Sequence, residues 1–193
     1  MAAGANICQV DAAVSLPTLA LGELTLRVAE DADIPALVEI LGEAEVHRWW
    51  GAYDEAAVRK DLACSPCWTI VVGGRVAGWL QVNEERDPMF PSVALDIALG
   101  AAARGRGLGQ LALRAAIAHF IEQGRHRFTI DPATDNERAI RCYEAVGFKR
   151  VGVLRAYERA PNGRWRDGLL MDLLADEFAP AGGARQRPGS SSS

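Results

Sequence analysis

Three glycines interleaved with two arginines, Arg104-Gly105-Arg106-Gly107-Leu108-Gly109, open an amphipathic run that continues to about Glu122. Glycine tolerates positive φ and allows close approach, and a helix N-terminus carries partial positive charge. A turn of this kind therefore aims successive backbone N–H groups at one locus, which suits a phosphate or diphosphate that two guanidinium groups would help neutralise. Just before it, SVALDIALG carries a single charge, Asp96, at mid-strand, where a carboxylate is costly to bury unless paired. Two other phosphate fingerprints do not fit. Counted from Gly105 or Gly107, G-x-G-x-x-G puts its third glycine at Gln110 or Ala112, and the G-K-[ST] of a P-loop is missing.

The elements that must position these residues follow from periodicity. Leu24 to Val28 alternates as a short strand, and Asp31 or Asp33 caps a helix with Ile34, Leu37, Val38 and Leu41 at helical spacing. Val46 to Tyr53 holds adjacent tryptophans, at least one of which lies near a surface. Asp54 to Leu62 reads as a second short helix, and Trp68 to Val72, Gly73-Gly74 and Val76 to Val82 as a hairpin. The acidic, proline-broken loop Asn83 to Pro91 leads into the strand that bears Asp96. After the helix ending near Glu122 come a buried strand, Arg127 to Ile130, and a helix capped by Thr134-Asp135-Asn136 and stopped at Gly147. Lys149 to Leu154 and Gly168 to Leu174 are the closing strands. The order predicts an α/β (α+β) fold: a mixed, mostly antiparallel sheet with helices on both faces.

With 193 residues, 49% of them hydrophobic, the chain suits one core. Residues 23–178 are expected to form that domain, between a mobile extension, 1–22, and a Gly/Pro/Ser tail, 179–193. A net charge of −4 argues against a nucleic-acid surface. No apolar run approaches the ~20 residues of a membrane span and no signal sequence opens the chain, so a cytoplasmic protein is expected. From Val28 to Asp61, nine carboxylates (Glu30, Asp31, Asp33, Glu39, Glu43, Glu45, Asp54, Glu55, Asp61) face only Arg48, Arg59 and Lys60. That is either a solvated acidic face or a wall that attracts cations. Cys64-Ser-Pro-Cys67 has half of a zinc or redox motif, but neither Cys8 nor Cys142 supplies a second pair. His47, His119 and His126 lack ligand spacing, and no metal is expected.

R-x-x-G-x-G after a strand, followed by Asn136-x-x-Ala139-x-x-x-Tyr143-x-x-x-Gly147-Phe148, resembles the acetyl-coenzyme A site of the GNAT superfamily of N-acetyltransferases. DPATDNERAIRCYEAVGF, VHRWWG and the EERDP loop before LDIAL are together similar to aminoglycoside 6'-N-acetyltransferases. The resemblance covers about residues 24–178 and implies a GNAT fold with acetyl-CoA as acetyl donor. It implies that Arg104, Gly105, Arg106, Gly107, Leu108, Gly109 and Gln110 hold the diphosphate, and that the strand ending at Leu99 flanks the pantetheine arm. Asn136 is then close to the coenzyme and Tyr143 close to its sulfur, where a phenol can donate to a departing thiolate of pKa ~8.5.

The resemblance also carries a catalytic carboxylate onto Asp96, which as base or orienting partner would accept from the substrate ammonium. Asp87 and Asp131 match acidic positions that bind amino groups, and Trp49 or Trp50 would pack on an aminosugar. Asp167, in the turn before the last strand, is a further candidate. The expected partner is a small polycationic amine, and the expected assembly a monomer or homodimer. RAYERAPNGRWR with DGLLMDLLADEF is similar to ribosomal-protein N-terminal acetyltransferases, and the RWWG entry to siderophore-pathway N-acyltransferases. A non-catalytic acyl-CoA sensor is the alternative outside enzymes.

Overall fold

The computed structural model describes residues 16–179. Eight strands form one sheet in the order β1-β2-β3-β4-β5-β6-β8-β7. They are β1 (Leu19–Leu21), β2 (Leu24–Val28), β3 (Cys67–Val72), β4 (Arg75–Glu85), β5 (Ser92–Leu99), β6 (Arg127–Ile130), β7 (Lys149–Arg159) and β8 (Trp165–Leu174). Neighbours are antiparallel except β5 and β6, whose parallel register is Val93 with Phe128 and Ala94 with Thr129. The sheet is thus mixed and mostly antiparallel, as expected.

Alternation along the strands divides the core between two faces. Trp68, Ile70, Leu80, Val82, Val93 and Leu95 meet α4 (Leu108–Glu122) and α5 (Glu137–Val146) on one side. Cys67, Trp79 and Ala98 meet α1 (Ile34–Gly42), α2 (Ala44–Trp50) and α3 (Glu55–Cys64) on the other. α1 buries Ile34, Leu37, Ile40 and Leu41, one stripe at helical spacing. Asp54 starts α3 by accepting from the Ala57 N–H at 2.8 Å. Asn136 starts α5 in the same way through Ala139 at 3.2 Å.

Several boundaries differ from the sequence expectation. The proposed mobile extension reached residue 22, yet Leu16 is buried, the Trp68 indole donates to the Pro17 carbonyl at 2.8 Å, and β1 pairs with β2. A three-residue strand is too short to show a period. Residues 1–15, including Cys8, and 180–193 lie outside the described residues. α2 is a helix where the sequence shows no helical period, and β4, β7 and β8 run further than their apolar patterns. Asp33 does not bond into α1: its buried carboxylate accepts from Arg27 at 2.5 and 2.7 Å, Thr69 Oγ1 at 2.7 Å and Glu30 N–H at 3.0 Å. Burial alone would raise its pKa, but these donors outweigh it and hold the carboxyl below the usual range. Among the described residues, no helix is long and apolar enough to cross a membrane.

Candidate active site

Because the β5–β6 register stops at Ala94 and Thr129, the two strands contribute separate walls beyond that point. A cavity of about 1090 Å³ opens there, bounded also by the starts of α4 and α5, the end of α2 and the β7–β8 hairpin.

One end of the cavity is built largely from backbone. Gly105 and Gly107 have φ of 77° and 76°, a region that side chains disfavour, and Gly107 precedes α4 with no side chain capping it. The first i→i−4 bond of α4 runs from the Leu111 N–H to the Gly107 carbonyl at 3.1 Å. The N–H groups of Leu108, Gly109 and Gln110 therefore precede the helical ladder, and all three residues line the cavity. Gly109 packs closely on β5: a Cβ there would stand 3.3 Å from Leu99 Cδ1. The arginines do less than their spacing suggested. Arg104 lines the cavity but is bonded to Glu43 at 2.6 Å and the Leu99 carbonyl at 3.1 Å. Arg106 bonds Glu23 at 2.8 Å and is not among the lining residues. Their charge is balanced by carboxylates distant in sequence, so what this end offers an anion is chiefly N–H groups and helix dipole.

Asn136 lines the cavity while its side-chain oxygen caps α5. Tyr143, one of the buried residues of α5, packs edge-on against Phe148 at 6.2 Å and reaches the cavity. Burial first, then Cys142, Asp96 and Asp131, push its phenol far above the ordinary value. It therefore stays protonated near neutral pH and keeps an O–H that can donate.

The other end is acidic. Asp96 lies on the β5 face that holds Ala94 and Ala98, opposite Gln81 of β4. Burial, then Asp131 and Glu158, push its carboxyl up to about 7. Asp131, just past β6, is raised mainly by burial, opposed by a hydrogen bond from Tyr157. Asp61 of α3 accepts from Tyr53 at 3.0 Å and Gln81 at 3.1 Å. Glu158 accepts from Arg166 at 2.6 Å. Trp49 and Trp50 both line the cavity, Trp50 stacking on Trp79 at 6.0 Å and Trp49 lying under the Arg48 and Arg166 guanidinium groups at 4.5 and 5.4 Å.

Two proposed carboxylates stand elsewhere. Asp87 is exposed, outside the cavity lining, and accepts from the Met89 N–H at 2.8 Å as the cap of its own turn. Asp167 accepts from the Ala156 N–H at 2.7 Å, holding that residue at a φ of 50° in the bulge of β7. In both, short polar side chains satisfy backbone N–H groups that irregular strand ends leave unpaired. The acidic excess of residues 28–61 is likewise mostly spent inside the protein: Asp33 on Arg27, Asp31 and Glu55 on Arg59, Glu43 on Arg104. Of those nine, Glu45 and Asp61 line the cavity. Tyr53, Gln81, Tyr157, Glu158 and Arg166 also line it; for the last three, YER and RWR within the basic segment are the sequence signal.

Residues 23–149 match the family model described as an acetyltransferase (GNAT) domain. The chain belongs to the GNAT acetyltransferase family. It is 27% identical over 164 residues to aminoglycoside N(6')-acetyltransferase type 1 of Klebsiella pneumoniae, covering 72% of this chain and 81% of that protein. Among solved structures, a ribosomal-protein alpha-N-acetyltransferase in complex with coenzyme A matches with a TM-score of 0.74 at 20% identity, over 83% of this chain and 99% of that one. An acetyltransferase from T. thermophilus matches with a TM-score of 0.75 at 26% identity, over 84% and 92%. GNAT acetyltransferases use acetyl-CoA, and in this GNAT chain the uncapped α4 terminus is a fitting place for its phosphates.

Two cysteines of this GNAT domain, Cys67 and Cys142, have thiols held protonated by burial. Burial pushes the Cys67 thiol up to about 12, and it donates to the Ser65 carbonyl at 3.0 Å. Burial also raises Cys142, which keeps its thiol protonated beside the cavity. Among the described residues no three His, Cys, Asp or Glu side chains are grouped to hold a metal ion.

Proposed function

We propose that this GNAT enzyme transfers the acetyl group of acetyl-CoA directly to a primary amine, the 6'-amine of an aminoglycoside. The observation that carries this reading is the polarity of one cavity: uncapped N–H groups of α4 at one end, Asp61, Asp96, Asp131 and Glu158 at the other. An anionic donor and a cationic acceptor fit those ends respectively. Acetyl-CoA supplies the acetyl group as a thioester. Asp96, titrating near neutrality, accepts a proton from the ammonium so that its nitrogen lone pair is free to attack. Tyr143, held protonated, donates a hydrogen bond to the sulfur as the C–S bond breaks, and the second proton that the nitrogen sheds as the amide forms ends on the departing thiolate. One cavity with room for donor and acceptor at its two ends supports direct transfer in a ternary complex. Several carboxylates suit a polycation, since each exposed pair contributes only about 0.2 to 1 kcal/mol.

A thiol-release assay with acetyl-CoA across kanamycin-type aminoglycosides, N-terminal peptides and lysine derivatives tests the proposal. Turnover is expected with the aminoglycosides. Turnover of a ribosomal-protein N-terminal peptide with none for any aminoglycoside reassigns the acceptor to an α-amine.

A further inference from the structure

Arg166 on β8 makes three bonds at once. Its Nε donates to Glu158 Oε1 at 2.6 Å, Nη1 to the Arg48 carbonyl at 2.9 Å and Nη2 to the Trp49 carbonyl at 2.6 Å. Two of the three acceptors are last-turn carbonyls of α2, which have no partner within the helix. The pairing is sheltered, with side-chain exposures of 16% for Arg166 and 7% for Glu158. The guanidinium also covers the Trp49 ring at 5.4 Å.

α2 has seven residues and no side-chain cap at its start, too short to hold itself in water. Its end nevertheless presents Trp49 and Trp50 to the acidic end of the cavity. Val46 and Trp50 pack on the core, and a further grip on the carbonyl end comes from the hairpin opposite: β7 bulges between Leu154 and Glu158, Asp167 pins the bulge at Ala156, and Glu158 comes into register with Arg166. A positive charge beside an end that takes a cation is unfavourable for binding in itself, and Glu158 offsets it locally.

We infer that Arg166 is a positioning residue for the acceptor: it straps the end of α2 to the β7–β8 hairpin and thereby sets affinity for the amine, not the rate of transfer. This rests on the acceptor end being the acidic one, as proposed above. The role needs the planar fork of arginine, which reaches three acceptors in fixed directions; a lysine ammonium offers charge without that geometry.

The test uses the full chain with Arg166→Gln, Arg166→Lys and the double variant Glu158→Gln/Arg166→Gln, with kanamycin as acceptor. Arg166→Gln is expected to raise the kanamycin KM at least about tenfold with kcat within about threefold, the split expected when uniform binding is lost. Acetyl-CoA affinity should stay within about twofold. In the unliganded protein, amide exchange over residues 44–50 should accelerate about tenfold while α4 is unchanged. Arg166→Lys and the double variant should keep most of the KM defect. Restoration of KM in either would overturn the strap, leaving Arg166 as a counter-charge for Glu158. Unchanged exchange over 44–50, or a fall in kcat at constant KM, would overturn it too. Should the wild type acetylate no aminoglycoside, the acceptor assignment fails while the exchange measurement still decides whether Arg166 holds α2.

Discussion

Replacing Asp96 by asparagine should make the protein more stable and much less active, in a pH window fixed by the cavity. The carboxyl is pushed from an ordinary 3.8 up to about 7, chiefly by burial. At about 1.4 kcal/mol per pH unit, that difference corresponds to at most about 4 kcal/mol. Between those values the native protein holds a proton that the unfolded chain has released, so wild-type stability falls as pH rises through the window and is flat above about 7. An amide at this position carries no such penalty. Allowing for water that enters the cavity, the variant should gain about 2 to 4 kcal/mol at about pH 8 and nothing near pH 4. In a chain of this size that is a rise in Tm of roughly 5 to 15 °C. Paired urea and thermal unfolding at both pH values measures it, with thiol release followed in parallel. Turnover should drop by at least about tenfold, because an amide cannot accept the proton. Equal stability at both pH values, or a gain as large at low pH as at high, would refute the burial argument. Near-wild-type turnover would remove Asp96 from the chemistry.

Two further outcomes follow from the donor side. Tyr143→Phe keeps the packing against Phe148 and removes the only proton the residue offers, so kcat should fall roughly 10²-fold with acetyl-CoA affinity unchanged, as read by steady-state kinetics and calorimetry. Gly107→Val meets no atom within 4 Å but forces a β-branched residue to a φ of 76°. Calorimetry should show acetyl-CoA binding weakened at least about fivefold as the turn rearranges, and full affinity would refute a backbone-built phosphate site.

The α4 end of the cavity was legible because its residues shape their own local backbone. Gly105 and Gly107 make a turn and Asn136 caps a helix, and each leaves a local pattern in the sequence. The acidic end was legible only in part. Asp61 on α3 meets Gln81 on β4, and Tyr157 on β7 meets Asp131 just past β6, and no spacing along the chain records that. Charge misled in both halves for one reason: a sequence shows a charged residue but not its partner. Arg106 finds Glu23, 83 residues away, and Asp167 finds the Ala156 N–H across the hairpin. Fold class was clearer than element ends, since alternation over β2 to β5 and the helical stripes of α1 and α4 extend over enough residues to show a period.

The short parallel register between β5 and β6 also has a kinetic consequence. Strands β1 to β5 lie in the sheet in the order of the chain, each beside its predecessor, so most of their pairings join segments close in sequence. The β5–β6 pairing instead waits for α4 to cross over, and β8 must then insert between β6 and β7. Pairings that close long loops cost more chain entropy than hairpins. The β2–β3 pairing, which spans α1 to α3, and the β5–β6 pairing, which spans α4, both carry that cost, whereas β3, β4 and β5 are joined by short turns. A chain that has paired only β3, β4 and β5 has therefore built one wall of the site, and the seam that opens into the cavity waits for α4 to cross over.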